Sequence, residues 1–201
     1  MQLRSERAFH FDSYGDLIFK VGNPKEVLEF LVCSRTVARS SAVFRAMLYG
    51  GFAESKPQAT GNSWVVELPE DRACPLLVVL SIIHGHFTYI PNGLKQNEMY
   101  HVLTITEKYD MTHILRPWAK VWFQPYEDIR SPAGNEMLLW ISWEIGHVKM
   151  VCDMSKSLLL GSQVDKNGQL VTSGGVPLKK YVFLEPPGML GKLLLLIYCV
   201  F

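Results

Sequence analysis

The spacing of apolar residues changes from two positions to three or four within the first fifty residues. Leu17, Phe19 and Val21 stand two apart in the segment GDLIFKVG, which is the period of a half-buried β-strand. Shortly afterwards the spacing becomes that of an amphipathic helix, set by Val37, Ser41, Phe44 and Leu48. Because one short stretch carries both periods, the sequence predicts a fold that packs strands against helices.

Turn signals divide the first half of the chain into further strands and helices. Asn23 and Pro24 separate the first strand from VLEFLVCS, which is predicted to be the second strand of a hairpin. The helix after it can end at Gly50 or Gly51, in the left-handed conformation that glycine adopts at little cost. The segment WVVELPED is predicted to be a third strand, which Pro69 stops.

Helical segments follow the third strand. RACPLLVVLSIIHG is apolar on every side, and its length favours a buried helix over a strand. Asp71 is predicted to cap this helix, and Pro75 fits its first turn. NEMYHVLTITEKYD predicts the next helix, and MTHILRPWAKVWF predicts another that begins or kinks near Pro117.

The last third of the chain is predicted to be mainly helical. AGNEMLLWISWEIG and HVKMVCDMSKSLLLG are helical segments, and Asn167-Gly168 between short apolar flanks indicates a hairpin. The final apolar run, Leu193 to Phe201, is much shorter than the roughly 20 residues of a membrane-spanning helix. We interpret this run as the first half of a truncated helix, with a short tail anchor as the alternative.

The composition is that of a folded protein without a nucleic-acid footprint. Hydrophobic residues make up 48% and charged residues 19% of the 201 positions, close to the globular average. Twenty basic and nineteen acidic side chains give a net charge of +1, so the overall charge indicates no binding to nucleic acid. Because the N-terminal segment lacks the apolar stretch of a secretory signal, we expect an intracellular protein, cytoplasmic or nuclear, without membrane contact.

Residue types used in catalysis and metal binding form no recognised pattern. No CxxC pair occurs among the four cysteines, which are Cys33, Cys74, Cys152 and Cys199. His84 and His86 flank Gly85 without a third and fourth ligand at zinc spacing, so we interpret them as the polar end of the buried helix. We expect no catalytic residue, cofactor or metal, and an enzyme remains only as the alternative of another class.

Several spaced residues together indicate a known family. Cys33 is followed by Val37, Ser41 and Phe44 at offsets of four, eight and eleven residues, and TEKYDMTHI lies farther along. This set resembles BTB/POZ domains, which carry His, Leu, Ser and Phe at these offsets and an Asp-Lys-Tyr helix later. The segments MLYGGFAESKP, LPED and HG look most like those of the filamentous-fungal type. The strands GDLIFKVG and WVVELPED are also similar to the family's first and third strands.

The resemblance implies an α+β fold, with a small mixed sheet flanked by helices. It places a BTB/POZ-like domain at residues 13–122, after an N-terminal tail at 1–12. A linker at 123–131 and a mainly helical C-terminal extension at 132–201 would follow. Because Cys33 stands where the family has a His, the family parallel makes it a buried packing residue with different hydrogen bonding at the strand–helix junction.

The resemblance also implies a protein–protein interaction module. BTB domains typically form homodimers, and some bind cullin scaffolds of ubiquitin ligases through a hydrophobic-x-Glu element. Phe52-Ala53-Glu54 stands at the matching place after the Phe44 helix. The hypothesis of an adaptor to a cullin-type ligase therefore assigns partner binding to six residues: Met47, Tyr49, Phe52, Glu54, Lys56 and Tyr109.

Alternatives remain open both for these residues and for the whole chain. Phe52 can instead fold back onto the core after the helix end, which leaves Glu54 as a solvated charge. Tyr109 can be a core residue with its hydroxyl at the rim. No substrate-recruiting segment is recognisable, so the chain can also be a stand-alone dimerisation or transcription-linked scaffold, or a degraded family copy without a partner.

Overall fold

Helices flank a mixed β-sheet in the N-terminal part of the chain. The computed structural model describes residues 8–57, 63–129 and 137–172, together with Gly175, Pro177 and Gly188. The strands of this sheet are β1 (Ala8–His10), β2 (Leu17–Val21), β3 (Leu28–Val32) and β4 (Val65–Leu68). Their order across the sheet is β1-β3-β2-β4. Strands and helices together confirm the predicted α+β class.

The predicted hairpin forms the middle of the sheet. β2 runs antiparallel to β3, whereas β1 and β4 each run parallel to the strand beside them. Leu17, Phe19 and Val21 are fully buried, as their two-residue spacing predicts. Phe19 lies opposite Phe30, and Leu17 lies opposite Val32, so one face of the hairpin supplies the sheet side of the core.

The sheet begins earlier in the sequence than predicted. Residues 1–12 are predicted to be a tail, but β1 at Ala8–His10 pairs with β3. Phe11 directly after β1 is buried, and its ring lies 5.6 Å from that of Phe30. The apolar area that this aromatic side chain buries explains why the sheet starts before Ser13.

The helical segments follow the predicted order. The helices around the sheet are α1 (Ser34–Ser40), α2 (Ala42–Tyr49), α3 (Ala73–Ile83), α4 (Gln96–Lys108) and α5 (Arg116–Phe123). Short 3-10 turns lie at Phe87–Tyr89, Thr112–Leu115 and Gln124–Tyr126. The last of these turns falls in the segment that was predicted to be a linker.

A single extended residue separates α1 from α2. Ser41 has φ −144° and ψ 126°, and its Oγ accepts the backbone N–H of Phe44. This is the bond of an N-cap serine, so Ser41 ends one helix and begins the next. Phe44 and Leu48 are buried on the inner face of α2, as their spacing predicts.

The predicted cap of α3 is wrong. The residue that precedes the helix is Arg72, and no side chain caps this end. Asp71 is instead buried at 5% exposure, and it accepts hydrogen bonds from Lys108 and Tyr109 of the α4 region. Asp71 therefore joins two distant segments instead of completing its own helix.

The chain divides into two units, Met1–Trp118 and Ala119–Phe201, and the division falls within α5. The second unit contains α6 (Met137–Glu144), α7 (Val148–Gly161), β5 (Ser162–Val164) and β6 (Leu170–Thr172). β5 and β6 pair antiparallel, which confirms the hairpin predicted at Asn167-Gly168. The apolar run at 193–201 and the segment at 130–136 lie outside the described residues. In the described ranges, no helix has the length and apolar character that crossing a bilayer requires.

Candidate functional site

Four of the six predicted partner residues lie on or next to the loop that follows α2. We call residues Gly50–Lys56 the contact loop. Phe52 is 61% exposed, and Glu54 beside it is exposed as well. Phe52 does not fold back onto the core, so the structure favours the exposed alternative over the buried one for this residue.

Two glycines allow the contact loop to leave the helix. Gly51 has φ +83°, a left-handed value that glycine adopts without strain. Gly50 has ordinary dihedrals, but a Cβ at this position would collide with the backbone oxygen of Ala46. The double glycine is therefore required for two different reasons, and only the first is visible in the sequence.

Hydrogen bonds inside the contact loop fix its path. Ser55 Oγ accepts the N–H of Gly51 at 3.0 Å and donates to the backbone oxygen of Met47 at 3.1 Å. The Lys56 N–H donates to the backbone oxygen of Leu48 at 3.1 Å. The loop is thus tied back to the last turn of α2 on both sides of Phe52. The Met47 side chain itself is half-buried on α2.

Trp64 anchors the contact loop from the strand side. This residue is buried directly before β4, and its indole Nε1 donates to the backbone oxygen of Glu54 at 2.9 Å. Trp64 was not identified by sequence reasoning, because a tryptophan beside a strand is usually only a core residue. Its hydrogen bond leaves the Glu54 side chain exposed while fixing the Glu54 backbone.

Lys56 points back towards the body of the protein. Its Nζ lies 3.2 Å from Asp16 Oδ2 and 5.5 Å from the centroid of the Trp64 ring. The ring of Tyr49 meets that of Trp64 edge-on, at 5.9 Å between centroids. Lys56 and Tyr49, both predicted to contact a partner, therefore also contact the residues that hold the contact loop.

Asp16 is the shared acceptor of this network, and it precedes β2. Its Oδ1 accepts the N–H of Ser34, and its Oδ2 accepts the hydroxyl of Ser34, both at 2.8 Å. Because Ser34 Oγ donates to Asp16, the Tyr49 hydroxyl at 2.6 Å is the donor to Ser34 Oγ. Burial alone would raise the pKa of Asp16, but the hydrogen bonds from Ser34 and the charge of Lys56 lower it overall.

Tyr109 is a core residue, and its assignment to a partner surface is corrected. It is 3% exposed, and its ring stacks on Phe44 at 4.0 Å between centroids. Its hydroxyl donates to Asp71 Oδ2 in a short hydrogen bond. Burial, followed by the Asp71 carboxylate, raises the pKa of Tyr109, so the hydroxyl keeps its proton. The alternative of a core tyrosine is therefore the one that the structure favours, although its hydroxyl bonds to the buried Asp71 instead of lying at the rim.

A histidine from α3 takes part in the strand–helix junction at Cys33. The Cys33 N–H donates to His84 Nε2 at 3.2 Å, and His84 Nδ1 lies 3.0 Å from the backbone oxygen of Leu80. Nε2 therefore acts as an acceptor, and the proton lies on Nδ1. Burial lowers the pKa of His84, in accord with this neutral form. Cys33 is half-buried, less than the family parallel implied.

Acidification is expected to weaken this junction. Because the folded-state pKa of His84 lies below its ordinary value of 6.5, the unfolded chain binds more protons below that pH. The contribution of His84 is therefore complete above pH 6.5 and is lost as the pH falls. We expect the free energy of unfolding to decrease between about pH 7.5 and about pH 5.5 in urea titrations.

The control for this pH effect is His84→Asn. This variant should show a shallower decrease over the same range. Part of the decrease should remain, because burial and Arg72 also lower the pKa of His101. An unchanged slope in the variant would contradict the assignment to His84.

The described residues form no metal-binding cluster, and a groove among them is broad and open. No group of three or more His, Cys, Asp and Glu side chains among them is arranged to hold a metal ion. A broad open groove of about 1630 Å³ lies between the β2–β3 turn and the first turns of α3 and α4. Six carboxylates and three lysine or arginine side chains line it, so the groove is acidic overall. The exposed pair on the contact loop remains the best-defined candidate site.

No protein-family model matches the chain, and no curated protein matches it significantly.

Proposed function

We propose that this chain is a protein–protein interaction module of the BTB/POZ type, whose contact loop binds a cullin-type scaffold of a ubiquitin ligase. The observation that carries the proposal is the exposure of Phe52, at 61%, beside an exposed Glu54 on a hydrogen-bonded loop. The resemblance described above assigns the scaffold contact to this Phe-Ala-Glu element. In the proposed role, the chain is an adaptor within a ubiquitin ligase complex.

The chemistry of the pair suits recognition of another protein. An aromatic side chain that enters a partner's pocket buries a large apolar area and is a common centre of binding energy. Glu54 adds a charge that favours a partner with a basic side chain near that pocket. Because the contact loop is already hydrogen-bonded to Met47, Leu48 and Trp64, its binding to a partner costs less conformational entropy than binding by a free loop would.

The order of elements also supports the proposal. A strand hairpin is followed by the helix pair α1–α2, then β4, the buried helix α3 and the helix α4. This is the order that the BTB/POZ resemblance implies. Fold alone does not determine function, so the specific claim depends on Phe52 and Glu54.

The test is capture of a purified cullin N-terminal domain by the full chain. We expect the double variant Phe52→Ala with Glu54→Lys to lose capture, because both the aromatic anchor and its charge are removed. Its thermal unfolding midpoint should remain close to that of the unmodified protein, since both side chains are exposed.

Phe87→Ala is the matched control, because Phe87 is 63% exposed on the 3-10 turn after α3. It should keep full capture. Equal loss in both variants, or capture that survives the double variant, would contradict the proposal. A collapse of the unfolding midpoint in the double variant would indicate a structural role for Phe52.

Self-association is the second part of the proposal. β1 lies at one edge of the sheet, and within the described residues its outer side pairs with no strand. Such edges pair readily with another chain, so we propose a homodimer. Sedimentation at tens of micromolar, about where interfaces of micromolar affinity saturate, should give a dimer mass; a strict monomer would contradict it. A dimer without cullin capture would favour the stand-alone dimerisation or transcription-linked scaffold.

A further inference from the structure

The cation of the contact loop is turned away from the exposed pair. Lys56 is the loop's lysine and Glu54 its carboxylate. Lys56 Nζ lies 3.2 Å from Asp16 Oδ2, and the side chain also crosses the Trp64 ring. The side chains of Phe52 and Glu54 are exposed instead. The exposed face of the loop is therefore apolar and acidic.

The Lys56–Asp16 ion pair is too exposed to be a stability element. The side chains are 55% and 38% exposed, and ion pairs at such positions contribute little to folding because water and salt screen them. The effect of this pair is therefore local, on the position of the loop that it joins to Asp16. Removal of the pair should leave the fold intact, which makes it accessible to experiment.

Asp16 is held in place independently of Lys56. Its two carboxylate oxygens accept the N–H and the hydroxyl of Ser34 at the start of α1. Cys33, the residue at the cap position of this helix, makes no side-chain cap bond. Asp16 thus supplies the acceptor that α1 lacks locally. Lys56 of the contact loop therefore pairs with a carboxylate whose position Ser34 already fixes.

Trp64 provides a second attachment only two residues away from Lys56 in the loop. Its Nε1 donates to the backbone oxygen of Glu54, and its ring lies under Lys56. Trp64, the residue before β4, therefore contacts both the backbone of Glu54 and the side chain of Lys56. Phe52 lies between these contacts and the end of α2.

We infer that the Lys56–Asp16 pair positions the contact loop, so that the loop presents Phe52 and Glu54 to a partner while its lysine is paired with Asp16. Lys56 and Asp16 are then positioning residues, and neither touches the partner. The effect on affinity for a cullin scaffold rests on the proposed function. The effect on the position of the loop does not, because it is a property of the free protein.

The experiment combines hydrogen exchange of the free protein with binding to the cullin N-terminal domain. Lys56→Met keeps an apolar side chain over Trp64 and removes the charge, while the bonds from Ser34 to Asp16 remain. The amides of Gly51, Ser55 and Lys56 should exchange about threefold faster than in the unmodified protein, the change that loss of an exposed ion pair allows. Affinity for the scaffold should fall about twofold. Lys56→Arg, which keeps the charge, should restore both values.

Lys25→Met is the control, because Lys25 is an exposed lysine in the turn between β2 and β3. It should change neither exchange in the contact loop nor affinity. A lower affinity of Lys56→Met without faster exchange would mean that Lys56 contacts the partner directly, and this would overturn the inference. Unchanged exchange and unchanged affinity would overturn it as well.

The two proposals fail in different ways. If the unmodified chain does not bind the scaffold, the proposed function fails, and the exchange rates still decide whether the pair holds the loop. If Phe52→Ala abolishes binding while Lys56→Met leaves exchange and affinity unchanged, the proposed function stands and the positioning role is wrong.

Discussion

Replacing Phe44 by alanine is expected to lower the free energy of unfolding by about 3–5 kcal/mol. Phe44 is 1% exposed, and its ring lies between those of Tyr109, at 4.0 Å, and Phe19, at 5.4 Å. The variant loses the transfer energy of the ring and leaves a cavity between α2, β2 and the end of α4. Urea denaturation followed by circular dichroism measures the change.

Val43→Ala is the matched control on the same helix. Val43 precedes Phe44 and is 40% exposed. Its replacement should change the free energy of unfolding by no more than about 0.5 kcal/mol. Equal effects of the two variants would contradict the orientation of α2, in which Phe44 faces the core and Val43 faces solvent.

Removing the Tyr109 hydroxyl is expected to destabilise the protein by about 1–3 kcal/mol. In Tyr109→Phe the ring still stacks on Phe44, but Asp71 Oδ2 loses its donor inside the protein. The carboxylate keeps the Lys108 Nζ at 2.6 Å on its other oxygen. The cost therefore comes from one buried acceptor left without its partner. Urea denaturation at neutral pH measures it.

Tyr49→Phe is the corresponding control, since its hydroxyl is also the donor in a side-chain hydrogen bond. Ser34 is buried, but its hydroxyl still donates to Asp16 Oδ2 in this variant, so no carboxylate loses a donor. We expect a change below about 1 kcal/mol. A larger effect at Tyr49 than at Tyr109 would contradict the burial of the Asp71–Tyr109 pair.

Periodic patterns predicted the elements because burial is what sets the period. The alternation of Leu17, Phe19 and Val21 and the helical spacing of Phe44 and Leu48 report directly which side of an element is covered. The double glycine shows where the helix ends, but the Phe-Ala-Glu segment after it was predicted to be a contact site only from its resemblance to the family's hydrophobic-x-Glu element. Periodicity could not show whether Phe52 turns in or out, because a single aromatic residue in a loop has no period.

Contacts between distant segments were the part that the sequence did not predict. Asp71 has the residue type and position of a helix cap, and only the approach of Tyr109, 38 positions away, makes it a buried acceptor. Lys56 likewise has the composition of a solvated loop charge until Asp16, 40 positions earlier, is placed beside it. β1 was missed because a strand of three residues is too short for a recognisable alternation.

The two bonds of the Ser41 hydroxyl limit which residues position 41 can accept. Its Oγ accepts the N–H of Phe44 and donates to the backbone oxygen of Tyr109, 68 positions away. Helix caps in general admit Asp, Asn and Gly as well as Ser and Thr, but an ionised Asp cannot donate and Gly has no side chain. Among natural variants of this chain, we therefore expect Asp and Gly to be absent from a position where the local helix alone would tolerate them.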